Sequence, residues 1–123
     1  MNLTPIVYAM GVGRILLGLA PIVAPQQASK LLRFPADHDN ATARLMGRLF
    51  GVRDIGLGVL VMYAVSDIPL LKWVFLFQAA TDAGDILCIA PNLRDPKMKK
   101  AATASLAFAM AGCSGWLIAR ALV

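Results

Sequence analysis

Apolar residues run along this chain in four stretches of about 20 positions each, the length a helix needs to cross the hydrocarbon core of a bilayer. They cover roughly residues 4–23, 43–64, 68–90 and 101–123. None holds the clustered turn residues that would cut it into strands, and exposed irregular backbone is not tolerated in lipid, so each stretch predicts an α-helix. Polar residues gather in the connections between them. Residues 25–42 read PQQASKLLRFPADHDNAT, a tight turn surrounds Ser66 and Asp67, and residues 91–100 read PNLRDPKMKK. Asp39 or Asn40 is placed to cap the second helix and Asp67 the third. The expected fold class is therefore all-α: an up-down four-helix transmembrane bundle, forming a single domain over residues 1–123.

Composition strengthens this reading. Hydrophobic residues make up 59% of the chain and charged residues 15%, against roughly half and a quarter in ordinary soluble domains. Four spans and their loops consume the 123 residues and leave no room for a soluble domain. The first stretch is expected to stay in the mature protein rather than act as a cleaved signal, because its flank is uncharged and Arg14 interrupts the apolar run.

Charge then supplies an orientation. The chain carries 12 Lys and Arg against 7 acidic residues, for a net charge of +5, and every acidic residue is Asp. Lys30, Arg33, Arg44, Arg94, Lys97, Lys99 and Lys100 fall in or beside the first and third connections, while the opposite side holds mainly Lys72 and Arg120. By the positive-inside rule, loops 25–42 and 91–100 are cytoplasmic and both termini face the outer side of a multi-pass membrane protein, in the inner membrane for a bacterial source. Basic charge beside a bilayer reads as a topology signal, so nucleic acid is not an expected partner. Lys30 to Phe34 can lie along the headgroup boundary as a short amphipathic segment, where anionic lipids favour it.

The charges inside the spans are the candidate chemistry. Counted inward at about 1.5 Å per residue, Arg14, Arg53, Asp54 and Asp82 come out near the midplane. Asp85 lies about one turn closer to the cytoplasm, level with Arg48. Charges at such depth are costly alone, so they should face the interior and meet opposite partners. The depths pair Arg14 and Arg53 with Asp54 and Asp82, and Arg48 with Asp85, a set that sums to zero. Gln78, Asp82 and Asp85 recur at helical spacing and form one polar stripe with Thr81 alongside. Gly11, Arg14 and Gly18 share a stripe on the first span. Arg44, Gly47, Arg48, Gly51, Asp54 and Gly58 share one on the second, whose small residues allow close helix approach. Arg53 projects from nearly the opposite side and must reach a second helix or a subunit partner. On the fourth span Ala104, Ala107, Ala111 and Gly115 follow a small-residue pattern suited to close packing.

The candidate binding residues are thus Arg14, Arg48, Arg53, Asp54, Gln78, Asp82 and Asp85, with Asp54, Asp82 and Asp85 as candidate proton carriers or catalytic acids and bases. A balanced set of this kind serves equally as a structural salt-bridge cluster or as a polar cavity for a substrate, ion or proton, and its balance argues against a simple ion pore. His38, flanked by Asp37 and Asp39, reads as a solvated turn rather than a metal site. Cys88 and Cys113 form no CxxC pair and read as packing residues. The sequence has no nucleotide loop, Ser-His-Asp set or HExxH, and no cofactor is expected.

The run Gly13-Arg14-Ile15-Leu16-Leu17-Gly18-Leu19 is followed by a proline-bounded loop. Arg44, Arg48, Gly51, Arg53, Asp54, Leu57 and Gly58 then form a spaced pattern. Together they resemble the small four-helix bacterial membrane proteins grouped as DoxX-like, in particular their uncharacterised branch. The resemblance implies a four-helix transmembrane bundle with little established activity. Some members of the wider group resemble membrane subunits of quinone-linked oxidoreductases, which implies a partner-subunit role. It transfers no catalytic residue, because no redox cysteine pair or haem-ligating histidine lies within a span.

Three functions follow as expectations. The first is an oligomeric or partner-associated binding or accessory subunit in the lipid bilayer, with a small hydrophobic molecule as its ligand. The second is an intramembrane isomerase or cyclase that moves protons on a lipid-soluble substrate. The third is a transporter subunit.

Overall fold

The computed structural model describes residues 2–123 and contains five α-helices: α1 (Thr4–Val23), α2 (Pro25–Leu31), α3 (Ala41–Ala64), α4 (Ile68–Ile89) and α5 (Lys99–Leu122). Short 3-10 turns occupy Ala36–His38 and Ala90–Arg94. Among the described residues there is no strand. The four long helices match the predicted stretches to within two residues at each end.

Local chemistry sets the helix ends. Ala24 leaves the helical region at the end of α1, and Pro25, whose missing N–H is no loss at a helix start, opens α2 inside what the sequence suggested was only a loop. Arg33 closes that helix with a φ of 62°, in the left-handed region, while Phe34 N–H reaches back to the Ser29 carbonyl at 3.0 Å. Of the two candidate caps for α3, Asn40 takes the role and accepts from the Ala43 N–H at 2.9 Å. Asp39 instead binds Arg44 at 2.8 and 3.0 Å, and that bonded guanidinium holds the Asp39 carboxyl below the usual carboxylate range. Asp67 caps α4 through the Leu70 N–H at 3.1 Å, as expected.

Contacts between helices show that successive long helices alternate in direction. α1 lies along α3 on a glycine seam. A Cβ added at Gly58 would fall 2.6 Å from the Gly11 carbonyl oxygen, and at Gly18 or Gly51 it would run into the carbonyl of the other. The two backbones therefore touch, the close approach that the small residues of each stripe allow. α4 and α5 form the second close pair, with the Phe75 and Trp116 rings 5.9 Å apart and Arg120 Nε donating to the Lys72 carbonyl at 3.2 Å. Asn2, Leu3, Thr4, Leu122 and Val123 line one recess, so the two ends of the chain lie at the same end of the molecule. The apolar core fills that half and includes Val7, Val61, Leu71, Phe75, Trp116 and Ala119.

One packing expectation is narrowed and another corrected. The face of α5 that enters the core carries Ala102, Ala109, Trp116 and Ala119, whereas Ala107 and Ala111 are exposed. Trp116, the one large side chain on that face, sets the rotation of α5, and the stripe of small residues alone did not reveal it. Cys88 is exposed rather than packed, while Cys113 lies against the core; both are free thiols.

The outer surface is apolar around the molecule. Tyr63, Leu87, Val23, Trp73 and Val52 are all more than half exposed, an arrangement suited to lipid and not to water. Thr4–Val23, Ile68–Arg94 and Lys99–Leu122 are each long and apolar enough to cross a membrane. α3 has 24 residues, the same length as α5, but carries Arg44, Arg48, Arg53 and Asp54.

Candidate functional site

Arg14 is placed by the seam. It lies between Gly11 and Gly18 on the face of α1 that meets α3 and is only 7% exposed. A buried guanidinium needs carboxylates, and two helices supply them. Asp82 of α4 takes both of its terminal nitrogens, at 2.8 and 3.1 Å, in a bidentate pair. Asp54 of α3 stands 3.5 Å from the same guanidinium. α5 closes the fourth side: the Arg14 guanidinium carbon is 5.8 Å from the centre of the Trp116 ring, within cation–π range. Room for the Asp82 carboxylate comes from Gly112, where a Cβ would fall 2.5 Å from Oδ2.

A second bidentate pair sits one turn further from the chain ends. Arg53 donates to both oxygens of Asp85 at 2.8 and 3.0 Å and more weakly to Asp54 at 3.4 Å. Its guanidinium also lies over the Phe50 ring at 4.6 Å. This pair is less enclosed, with the side chains of Arg53 and Asp85 exposed by 36% and 27%. Arg14, Arg53, Asp54, Asp82 and Asp85 thus form one continuous ionic cluster across α1, α3 and α4.

Two sequence-derived placements change. Arg48, expected to pair with Asp85, is exposed and makes no hydrogen bond or ion pair among the described residues. The cause is register. The short turn between α3 and α4 sets Leu57 opposite Gln78, so Asp85 falls within reach of Arg53, and Arg48 lies more than a turn beyond. Arg53 takes the first of the two courses its position allowed: its long side chain swings round to a second helix, bonding Asp85 of α4 while keeping a 3.4 Å contact with Asp54. Gln78, fully buried, donates to the Leu57 carbonyl at 2.7 Å instead of to the charged groups. Among the described residues, its Oε1, like Nε of Arg14 and of Arg53, has no hydrogen-bond partner. Thr81 bonds back to the Phe77 carbonyl of its own helix at 2.9 Å.

The structure adds Trp116 and Gly112, which sequence reasoning did not single out. A tryptophan four residues after a glycine, on a helix otherwise built of small residues, was the available signal. His38 lies in a 3-10 turn far along the chain from the cluster. Among the described residues, no group of three His, Cys, Asp or Glu side chains converges as a metal ion would require.

A family described as a domain of unknown function, DUF4267, matches residues 11–121. The chain belongs to this family. All five residues of the ionic cluster, together with Gln78 and Trp116, fall inside the DUF4267 match. No curated protein and no solved structure matches the chain.

The DUF4267 cluster has definite chemical capacities. Asp82 and Asp85 each receive two short charge-assisted bonds, which use both oxygens of each carboxylate and fix its orientation. Of the three candidate acids and bases, only Asp54 lacks a short bond.

Proposed function

We propose that this DUF4267 protein is a four-span membrane bundle in which α3 crosses the bilayer beside α1, α4 and α5, and in which Arg14, Arg53, Asp54, Asp82 and Asp85 form a polar intramembrane site. The observation that carries this reading is the pair of bidentate arginine–aspartate bridges joining α1 to α4 and α3 to α4 within otherwise apolar helices. With its charges paired inward, α3 becomes compatible with lipid despite its composition. Sidedness is supported at both ends. Lys30, Arg33, Arg44, Arg48, Arg94, Lys97, Lys99 and Lys100 gather at one end, which the positive-inside rule places in the cytoplasm. Exposed Tyr8, Tyr63 and Trp73 ring the end that carries both termini, the position of an interfacial aromatic belt.

Within that frame we read the protein as a DoxX-like binding or accessory subunit, working as an oligomer or with a membrane partner and holding a small apolar ligand. The two bidentate bridges, which tie three helices together through the polar groups of the interior, support an organising role over turnover. An acid–base isomerase or cyclase is the second reading. It is favoured by one observation: Asp54 is held only by long contacts beside two aspartates in short bidentate pairs, an environment that separates one carboxyl group from its neighbours.

Native mass spectrometry of the protein extracted with its lipids tests the first reading. The expected spectrum shows more than one chain, a partner subunit or a retained small apolar molecule, with the association weakened in Arg53→Ala. A lone chain with nothing bound, unchanged by the substitution, contradicts it.

A further inference from the structure

With Arg48 outside the cluster, two guanidinium groups face three carboxylates, and the cluster is one positive charge short. We propose that a single proton, bound on Asp54, supplies that charge, making Asp54 a proton-binding site inside the membrane. The inference rests on the four-span reading above, since only in a dry environment is one unbalanced charge costly enough to capture a proton.

Geometry selects Asp54 from the three aspartates. Asp82 is held by Arg14 at 2.8 and 3.1 Å, and Asp85 by Arg53 at 2.8 and 3.0 Å. Asp54 is only 4% exposed, yet meets both arginines at 3.4 and 3.5 Å through the one oxygen Oδ1. Its Oδ2 receives no hydrogen bond from any described residue, which leaves that oxygen for the proton. All four long helices border the ionic cluster around Asp54. α1 presents Arg14, α3 itself Arg53, and α4 Asp82 with Asp85 behind Arg53. α5 presents Gly112 and Trp116; its charged residues, Lys99, Lys100 and Arg120, lie at its ends, and its Cys113 packs on the apolar core. A metal cation is a poor substitute for the proton, because it would need several oxygen ligands beside two guanidinium groups, whereas a carboxyl proton needs one. Uptake draws one proton from water and leaves the cluster neutral; release restores the Asp54 anion and one uncompensated negative charge.

Infrared spectroscopy of the protein in lipid nanodiscs at neutral pH, in H2O and D2O, reads this directly. The expected wild-type spectrum contains one protonated-carboxyl C=O band that shifts in D2O. That band is lost in Asp54→Asn and moves in Asp54→Glu, which keeps a carboxyl group on a longer arm. It stays in place in Asp85→Glu and disappears in Asp85→Asn, where the charge shortage is gone. Absence of the band from the wild type overturns the proposal, as does a band that survives Asp54→Asn or moves with Asp85→Glu. If Asp54→Asn does not fold, the wild-type and Asp54→Glu spectra still decide. A missing band leaves the four-span association reading standing, because that reading fails by mass spectrometry instead.

Discussion

Gln78 shows how a buried polar residue in this protein differs from a buried charge. It is fully enclosed, gives one amide hydrogen to the Leu57 carbonyl at 2.7 Å and leaves Oε1 unpaired. One net hydrogen bond contributes about 1 kcal/mol, and an unsatisfied buried acceptor costs about as much or more. Gln78→Leu is therefore expected to change stability by no more than about 1 kcal/mol in either direction, read from thermal unfolding in detergent. A larger loss would show that Oε1 is satisfied by something held in the site. The relative levels of the charged residues along the helices were legible in the sequence because helix rise is fixed, and so was the need for Arg14 and Arg53 to meet Asp54 and Asp82. The choice of partner for Asp85 was not. Arg48 and Arg53 differ by little more than one turn, an arginine side chain spans that distance, and only the α3–α4 turn fixes which one arrives.

At the scale of helices, close packing is written in glycine. Gly11, Gly18, Gly51 and Gly58 let the α1 and α3 backbones touch, while Gly13 and Gly56 face open space where an added Cβ meets nothing within 4 Å. Overpacking a tight contact costs about 1–3 kcal/mol, and an unhindered glycine-to-alanine change within a helix gains up to about 1 kcal/mol. Gly51→Ala and Gly58→Ala should accordingly lower the unfolding temperature, and Gly13→Ala and Gly56→Ala should hold or raise it. Equal effects at all four positions would mean that the seam is not what joins the helices. The small-residue stripe on each of these helices could be read from the sequence, but which helix each would meet could not, because a glycine stripe accepts any close neighbour. The packing face of α5 could not, since alanines occur all around that helix and only the seating of Trp116 against Phe75 and Arg14 fixes its rotation.

At the scale of the whole molecule, one physical condition links fold and site: charges that would be prohibitive singly in lipid become tolerable when helices deliver opposite partners to the same depth. Arg14 is the point where this condition is met, touching Asp82 and Asp54 and facing Trp116, so that all four long helices converge on one guanidinium. The most direct test is a double-mutant cycle on Arg14 and Asp82, followed by thermal unfolding of the detergent-solubilised protein. Removing one partner of a buried pair costs about 3–5 kcal/mol, and replacing both with apolar side chains costs far less. Arg14→Leu should be the more damaging single change, because it strands carboxylates, whereas after Asp82→Leu the arginine can still turn to Asp54. The account predicts that the double Leu variant is clearly more stable than the sum of the two losses. Strictly additive losses, or single variants that unfold like the wild type, would contradict it.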